Sequence, residues 1–91
     1  MDKKDFYKSL QEKLNEQTDW PTVYMFKFII PADNHKMAQV NQLFGETAQI
    51  TTRASKNGNY LSVSAKEVMM DAESIIQRYK RAEKIEGIIS L

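Results

Sequence analysis

His35 is the only histidine in the chain, and it closes the run Pro31-Ala32-Asp33-Asn34-His35, which has the composition of a helix start. Asp33 or Asn34 can accept a hydrogen bond from an orphan amide there, and an imidazole in the first turn could meet an anion through its charge or through the helix amides. The plainer reading is an exposed histidine with no second site residue beside it. Ser62 and Ser64 are hydroxyls two positions apart, but an activated nucleophile needs a hydrogen-bonded base, and none is evident. They read as ordinary polar strand residues. The carboxylates are scattered rather than paired for acid and base work, and the three glycines form no phosphate-cradling loop. The chain has no cysteine, which removes disulfides, thiolate zinc sites and cysteine nucleophiles. One histidine cannot supply a histidine-based metal cluster within one chain. The sequence therefore disfavours an enzyme, and no cofactor or metal is expected.

A different chemistry, surface recognition, points to Ser55-Lys56-Asn57-Gly58-Asn59-Tyr60, followed by Leu61-Ser62-Val63-Ser64. Asn57-Gly58-Asn59 is a turn signal, because glycine adopts positive φ without steric cost and asparagine tolerates it. Beyond the turn, Leu61, Val63 and Ala65 fall on one side of a strand, and Tyr60, Ser62, Ser64 and Lys66 on the other. Such a hairpin can exist only to set strand register, or it can present a functional surface.

The elements that position these residues follow in order. Residues 2–15 place Phe6, Leu10 and Leu14 at four-residue steps, an amphipathic helix that docks on its own domain or on a partner. Pro21 ends that segment and pushes Trp20 toward extended geometry. Residues 23–30 form a strand with Tyr24, Phe26, Phe28 and Ile30 on one face. Lys27 would be costly to bury, so the aromatic face is the core and Lys27 lies on the open side. A helix reaching Phe44 follows, with Met37, Val40, Asn41 and Phe44 inward, Leu43 at the margin, and Gly45 as a left-handed stop. Residues 46–54 alternate as a strand with Ala48, Ile50 and Ala54 on one face and a wet face opposite. The hairpin and a strand over 59–68 come next. A helix capped by Asp71 then presents Ala72, Ile75, Ile76, Tyr79 and Ala82, and a short strand begins at Ile85 or Gly87 and runs to Leu91. Arg78, Lys80, Arg81 and Lys84 near that helix end satisfy the macrodipole and make a weak nucleic-acid patch.

The 91 residues make one folding unit that can bury ~60 to 65% of its unfolded surface. The division expected is a leading helix and linker over residues 1–19 and a sheet-bearing domain over 20–91. A hydrophobic share of 42% and a net charge of +1 fit a folded chain with no strong field toward nucleic acid or anionic lipid. The start Met1-Asp2-Lys3-Lys4-Asp5 leads into an amphipathic segment rather than an apolar signal core, so a cytoplasmic location is expected and no membrane.

After the leading helix the order is β, α, β, β, α, β, the ferredoxin-like α+β sandwich. Right-handed crossovers give a four-stranded antiparallel sheet of order 4-1-3-2. Helices cover one face. The other is open unless the leading helix or a second subunit lies over it, and it would carry Met25, Lys27 and Ile29 beside Tyr60, Ser62, Ser64 and Lys66.

Trp20-Pro21-Thr22, Tyr24, Phe26-Lys27 and the stretch from Ser55 to Ser64 together resemble the YbeD-like family of small uncharacterised bacterial proteins. The resemblance implies a ferredoxin-like domain similar to the ACT-like regulatory domains that bind small ligands in metabolic enzymes, and no established activity. ACT-type sites usually use a glycine in the loop after the first strand. This chain has Pro31-Ala32-Asp33-Asn34-His35 there, leaving Asp33, Asn34 and His35 as the candidates.

The function expected is a non-catalytic regulatory or protein-interaction module that contacts a protein partner or a second copy through the open sheet face or an edge strand. The alternative is sensing of a small ligand, an amino acid or metabolite. RNA binding ranks below both, since the aromatic platform of RNA-recognition motifs would require rings where Asn59, Leu61 and Ser64 stand. Candidate contact residues are Lys27, Asp33, Asn34, His35, Ser55, Lys56, Asn57, Gly58, Asn59, Tyr60, Ser62 and Ser64.

Overall fold

The alternation of Tyr24, Phe26, Phe28 and Ile30 determines which side of the sheet is covered. Phe26, Phe28 and Ile30 are fully buried in the computed structural model, which describes residues 3–91. Of the expected leading segment, Met1 and Asp2 lie outside the described residues. The elements are α1 (Lys3–Gln17), β1 (Thr22–Pro31), α2 (Asn34–Asn41), β2 (Gln49–Ala54), β3 (Tyr60–Met69), α3 (Ala72–Ala82) and β4 (Ile89–Ser90). The four strands form one antiparallel sheet of order β2-β3-β1-β4, so the fold is a ferredoxin-like arrangement preceded by a helix.

Each helix is held for a local reason. Asp71 caps α3 by accepting from the Ser74 amide at 2.7 Å, and α3 then buries Ala72, Ile75, Ile76, Tyr79 and Ala82 at helical spacing. Tyr79 packs edge-on against Phe26, Phe28 and Tyr24 and shares a 2.8 Å hydrogen bond with the Tyr24 hydroxyl. Burial first, and the Tyr24 hydroxyl second, push the Tyr79 phenol well above its ordinary range.

The leading helix does not cross to the open face. It packs along α3, with Tyr7 buried in the core cluster and Leu10 and Leu14 against it. The Tyr7 hydroxyl donates to the Glu83 carboxylate just past the end of α3. All three helices therefore lie on the Phe26 side, and the opposite sheet face is uncovered.

Several expectations are corrected. α2 ends at Asn41 rather than Phe44; Asn41 is exposed, while Leu43, expected at the margin, is buried. Gly45 has no positive φ and does not act as a left-handed stop. Its amide instead donates to Glu67 Oε1 at 3.1 Å. β2 begins at Gln49 and is exposed on both faces, Ile50 and Ala54 included, because eight-residue α2 packs toward β1 and leaves the edge strand uncovered. β4 shrinks to Ile89–Ser90: Ile85 is buried in the core, and Gly87, at φ +82°, redirects the chain before it meets β1. The Leu91 amide still donates to the Lys27 carbonyl at 2.9 Å.

Candidate functional site

The hairpin between β2 and β3 is built by its own side chains. Gly58 sits at φ +77°, and its amide closes onto the Ser55 carbonyl at 2.9 Å. The Ser55 hydroxyl donates to Asn57 Oδ1 at 3.1 Å and accepts from the Tyr60 amide at 3.0 Å. Asn57 Oδ1 also takes the Asn59 amide at 3.4 Å. Ser55, Asn57 and Gly58 thus hold the turn, whereas Lys56 and Asn59 are exposed and the Tyr60 ring stands half free of contact.

The two predicted clusters meet at one end of the sheet. Pro31 pairs with Tyr60 in the β1/β3 register, and the Ala32 amide donates to the Asn59 carbonyl at 2.9 Å. Asp33 is the cap of α2: its Oδ1 accepts from the His35 amide at 2.7 Å and the Lys36 amide at 3.4 Å. Those first-turn amides, which could have met an anion, face the carboxylate of their own chain. Asn34 and His35 are exposed beside it.

The open face is a set of cross-strand rows. Val23 lies opposite Val68; Met25, Lys66 and Gln49 follow; then Lys27, Ser64 and Thr51. The next row runs through all four strands as Ile89, Ile29, Ser62 and Arg53, and Tyr60 beside Pro31 completes the face. Lys27, Ser62 and Ser64 therefore belong to one surface with the hairpin end, and Asp33, Asn34 and His35 border it. No Asp or Glu occupies any of these strand positions, while Lys27, Arg53 and Lys66 do. Glu67 points the other way, into a paired contact with Arg78, whose hydrogen bonds are the main reason its carboxyl lies below the ordinary carboxylate range.

Three features were missed from the sequence. Val23, Val68 and Ile89 make the face more apolar than the expected mixture, each at least half exposed. Arg53, on the wet face of the expected second strand, is absent from the candidate contact residues, although its position two residues before Ser55 puts it opposite Ser62. At this corner Ile29, Arg53, Ala54, Ser55, Tyr60 and Ser62 line a shallow cleft of about 340 Å³. Among the described residues, no group of three or more His, Asp or Glu side chains is placed to hold a metal ion, and no helix is long and apolar enough to cross a membrane.

Comparison with curated proteins and with solved structures gave no match. Residues 15–91, which hold the end of α1, every strand and both later helices, match the family described as "Protein of unknown function (DUF493)", and the chain belongs to that family.

Proposed function

We propose that this protein is a non-catalytic, regulatory interaction module whose open sheet face receives an acidic segment of a protein partner. The observation that carries this reading is charge segregation: in a chain of net charge +1, the open strand positions hold Lys27, Arg53 and Lys66 and no carboxylate. Around those cations stand Val23, Met25, Tyr60, Val68 and Ile89, all substantially exposed. An acidic segment with apolar anchors would satisfy both features, with the charges steering encounter and the apolar contacts setting lifetime. A YbeD-like identity within the family and a bacterial cytoplasmic setting belong to the same reading.

The test compares the wild-type chain with a Lys27→Glu/Lys66→Glu variant in co-purification from native cells, after both are shown to fold alike. A partner that is retained by the wild type, lost by the variant and released as salt rises supports the proposal. Recovery of nothing that the variant loses, from a strictly monomeric protein, overturns it. A dimer broken by the same variant would assign the face to a second copy instead, and salt-sensitive binding of single-stranded RNA would assign it to nucleic acid.

A further inference from the structure

The row Ile89, Ile29, Ser62, Arg53 is graded across the sheet. Two isoleucines lie at one end, a guanidinium at the other and a small hydroxyl between them. Neighbouring strands are about 4.8 Å apart, so the row spans roughly 14 Å from Ile89 to Arg53. Tyr60, its ring half exposed, lines a cleft of about 340 Å³ together with Ile29, Ser62 and Arg53. Arg53 has no hydrogen bond or ion pair among the described residues, although the chain carries 12 carboxylate side chains and Arg78 engages one of them with both prongs.

We propose that this cleft is a binding site for a small organic anion with a flat or short apolar body. The carboxylate or phosphate end meets the Arg53 guanidinium, whose planar fork matches either group. The Ser62 hydroxyl, in the adjacent register position, donates to the same group. The apolar body lies against Ile29 and the Tyr60 ring, toward Ile89. The Ser55 hydroxyl, already engaged in the turn, forms wall rather than contact. This site is separate from the helix-start loop, where Asp33 occupies the amides. It shares Arg53, Tyr60 and Ile89 with the proposed partner surface, whose other apolar anchors Val23, Met25 and Val68 lie at the opposite end of the face, and small-anion binding is read on the chain alone.

The test is an amide NMR titration of the full chain with 3-phenylpropanoate, phenyl phosphate and the neutral 3-phenylpropanamide, each to about 10 mM at constant ionic strength. Saturable shifts confined to Ile29, Arg53, Tyr60 and Ser62 are expected with at least one anion, and the two anions tell carboxylate from phosphate. Arg53→Gln, an exposed edge-strand change, should weaken that binding about tenfold while leaving the remaining spectrum in place. Lys13→Gln, an exposed change on α1 across the sheet from the cleft, should leave it unchanged. Absence of saturation with both anions, equal binding of the neutral amide, or an unaltered affinity in Arg53→Gln would each overturn the proposal.

Discussion

Glu67 and Arg78 meet prong to prong, Nη1 to Oε1 at 3.0 Å and Nη2 to Oε2 at 3.1 Å, with both side chains largely withdrawn from solvent. The same carboxylate accepts the Gly45 amide, and the guanidinium lies 5.5 Å from the Phe26 ring centre and 5.2 Å from that of Phe44. One ion pair thus joins β3, α3 and the turn after α2. Arg78→Lys keeps the charge but loses the fork and the flat stacking surface, and should cost about 2 kcal/mol. Urea unfolding with an unchanged slope checks this, and a loss of only a few tenths would contradict it.

Acid should weaken the fold through the same carboxylate. The Glu67 carboxyl is held below its ordinary 4.5 chiefly by the hydrogen bonds from Arg78. A depressed folded value means that the contribution is full above the unfolded value and disappears as pH falls through the folded one. Wild-type stability should therefore drop more steeply below about pH 4.5 than that of Glu67→Gln. Parallel acid limbs for the two proteins would refute the assignment.

The two left-handed glycines should respond differently to alanine. At Gly58, φ +77°, a Cβ would meet nothing within 4 Å, so only backbone strain of about 1 kcal/mol is at issue. At Gly87, φ +82°, a Cβ would come within 3.0 Å of Pro31 Cγ and 3.3 Å of its Cδ, adding a clash to the strain. Thermal unfolding should show Gly87→Ala as the more damaging of the pair, and a reversed order would mean that the Pro31 ring yields freely.

Much of this architecture could be read from local pattern. The parity of Tyr24 to Ile30, the cap at Asp71 and the turn at Asn57-Gly58 each depend on residues a few positions apart, and the structure agrees with all three. What escaped depends on distant partners. Whether Ile50 is covered is decided by where α2 packs, which is toward β1, and Gly45 takes its role from Glu67, 22 positions on. Arg53 gains its meaning only once β2, β3, β1 and β4 are in register, because the row it completes joins four separate segments.

The proposed division at residue 20 can be tested by removing the leading helix. α1 contributes Tyr7, Leu10 and Leu14 to the core from outside the sheet, and the β1/β3 pairing does not include it. A chain starting at residue 20 should keep native amide dispersion in β1 and β3 while losing roughly 2 to 3 kcal/mol for Tyr7 alone. Collapse of that dispersion would show that α1 is an integral part of the domain.

Alkali should act on the other side of the core, through Tyr7 and Tyr79. Burial is the leading cause in both, seconded by the Glu83 carboxylate at Tyr7 and by the Tyr24 hydroxyl at Tyr79, and it raises both phenols well above the ordinary 10.0. A raised folded value leaves stability intact below the unfolded value. Above it, the unfolded chain releases protons that the folded chain retains, so stability falls as pH rises. Tyr7→Phe removes one of these protons and the hydrogen bond to Glu83 together, so the variant starts lower near neutrality. It should then lose less than the wild type between about pH 9 and 11, and the two curves should converge. Curves that stay parallel across that interval would mean that Tyr7 ionises as readily in the folded chain as in the unfolded one, and that its seat between α1 and α3 is open to water.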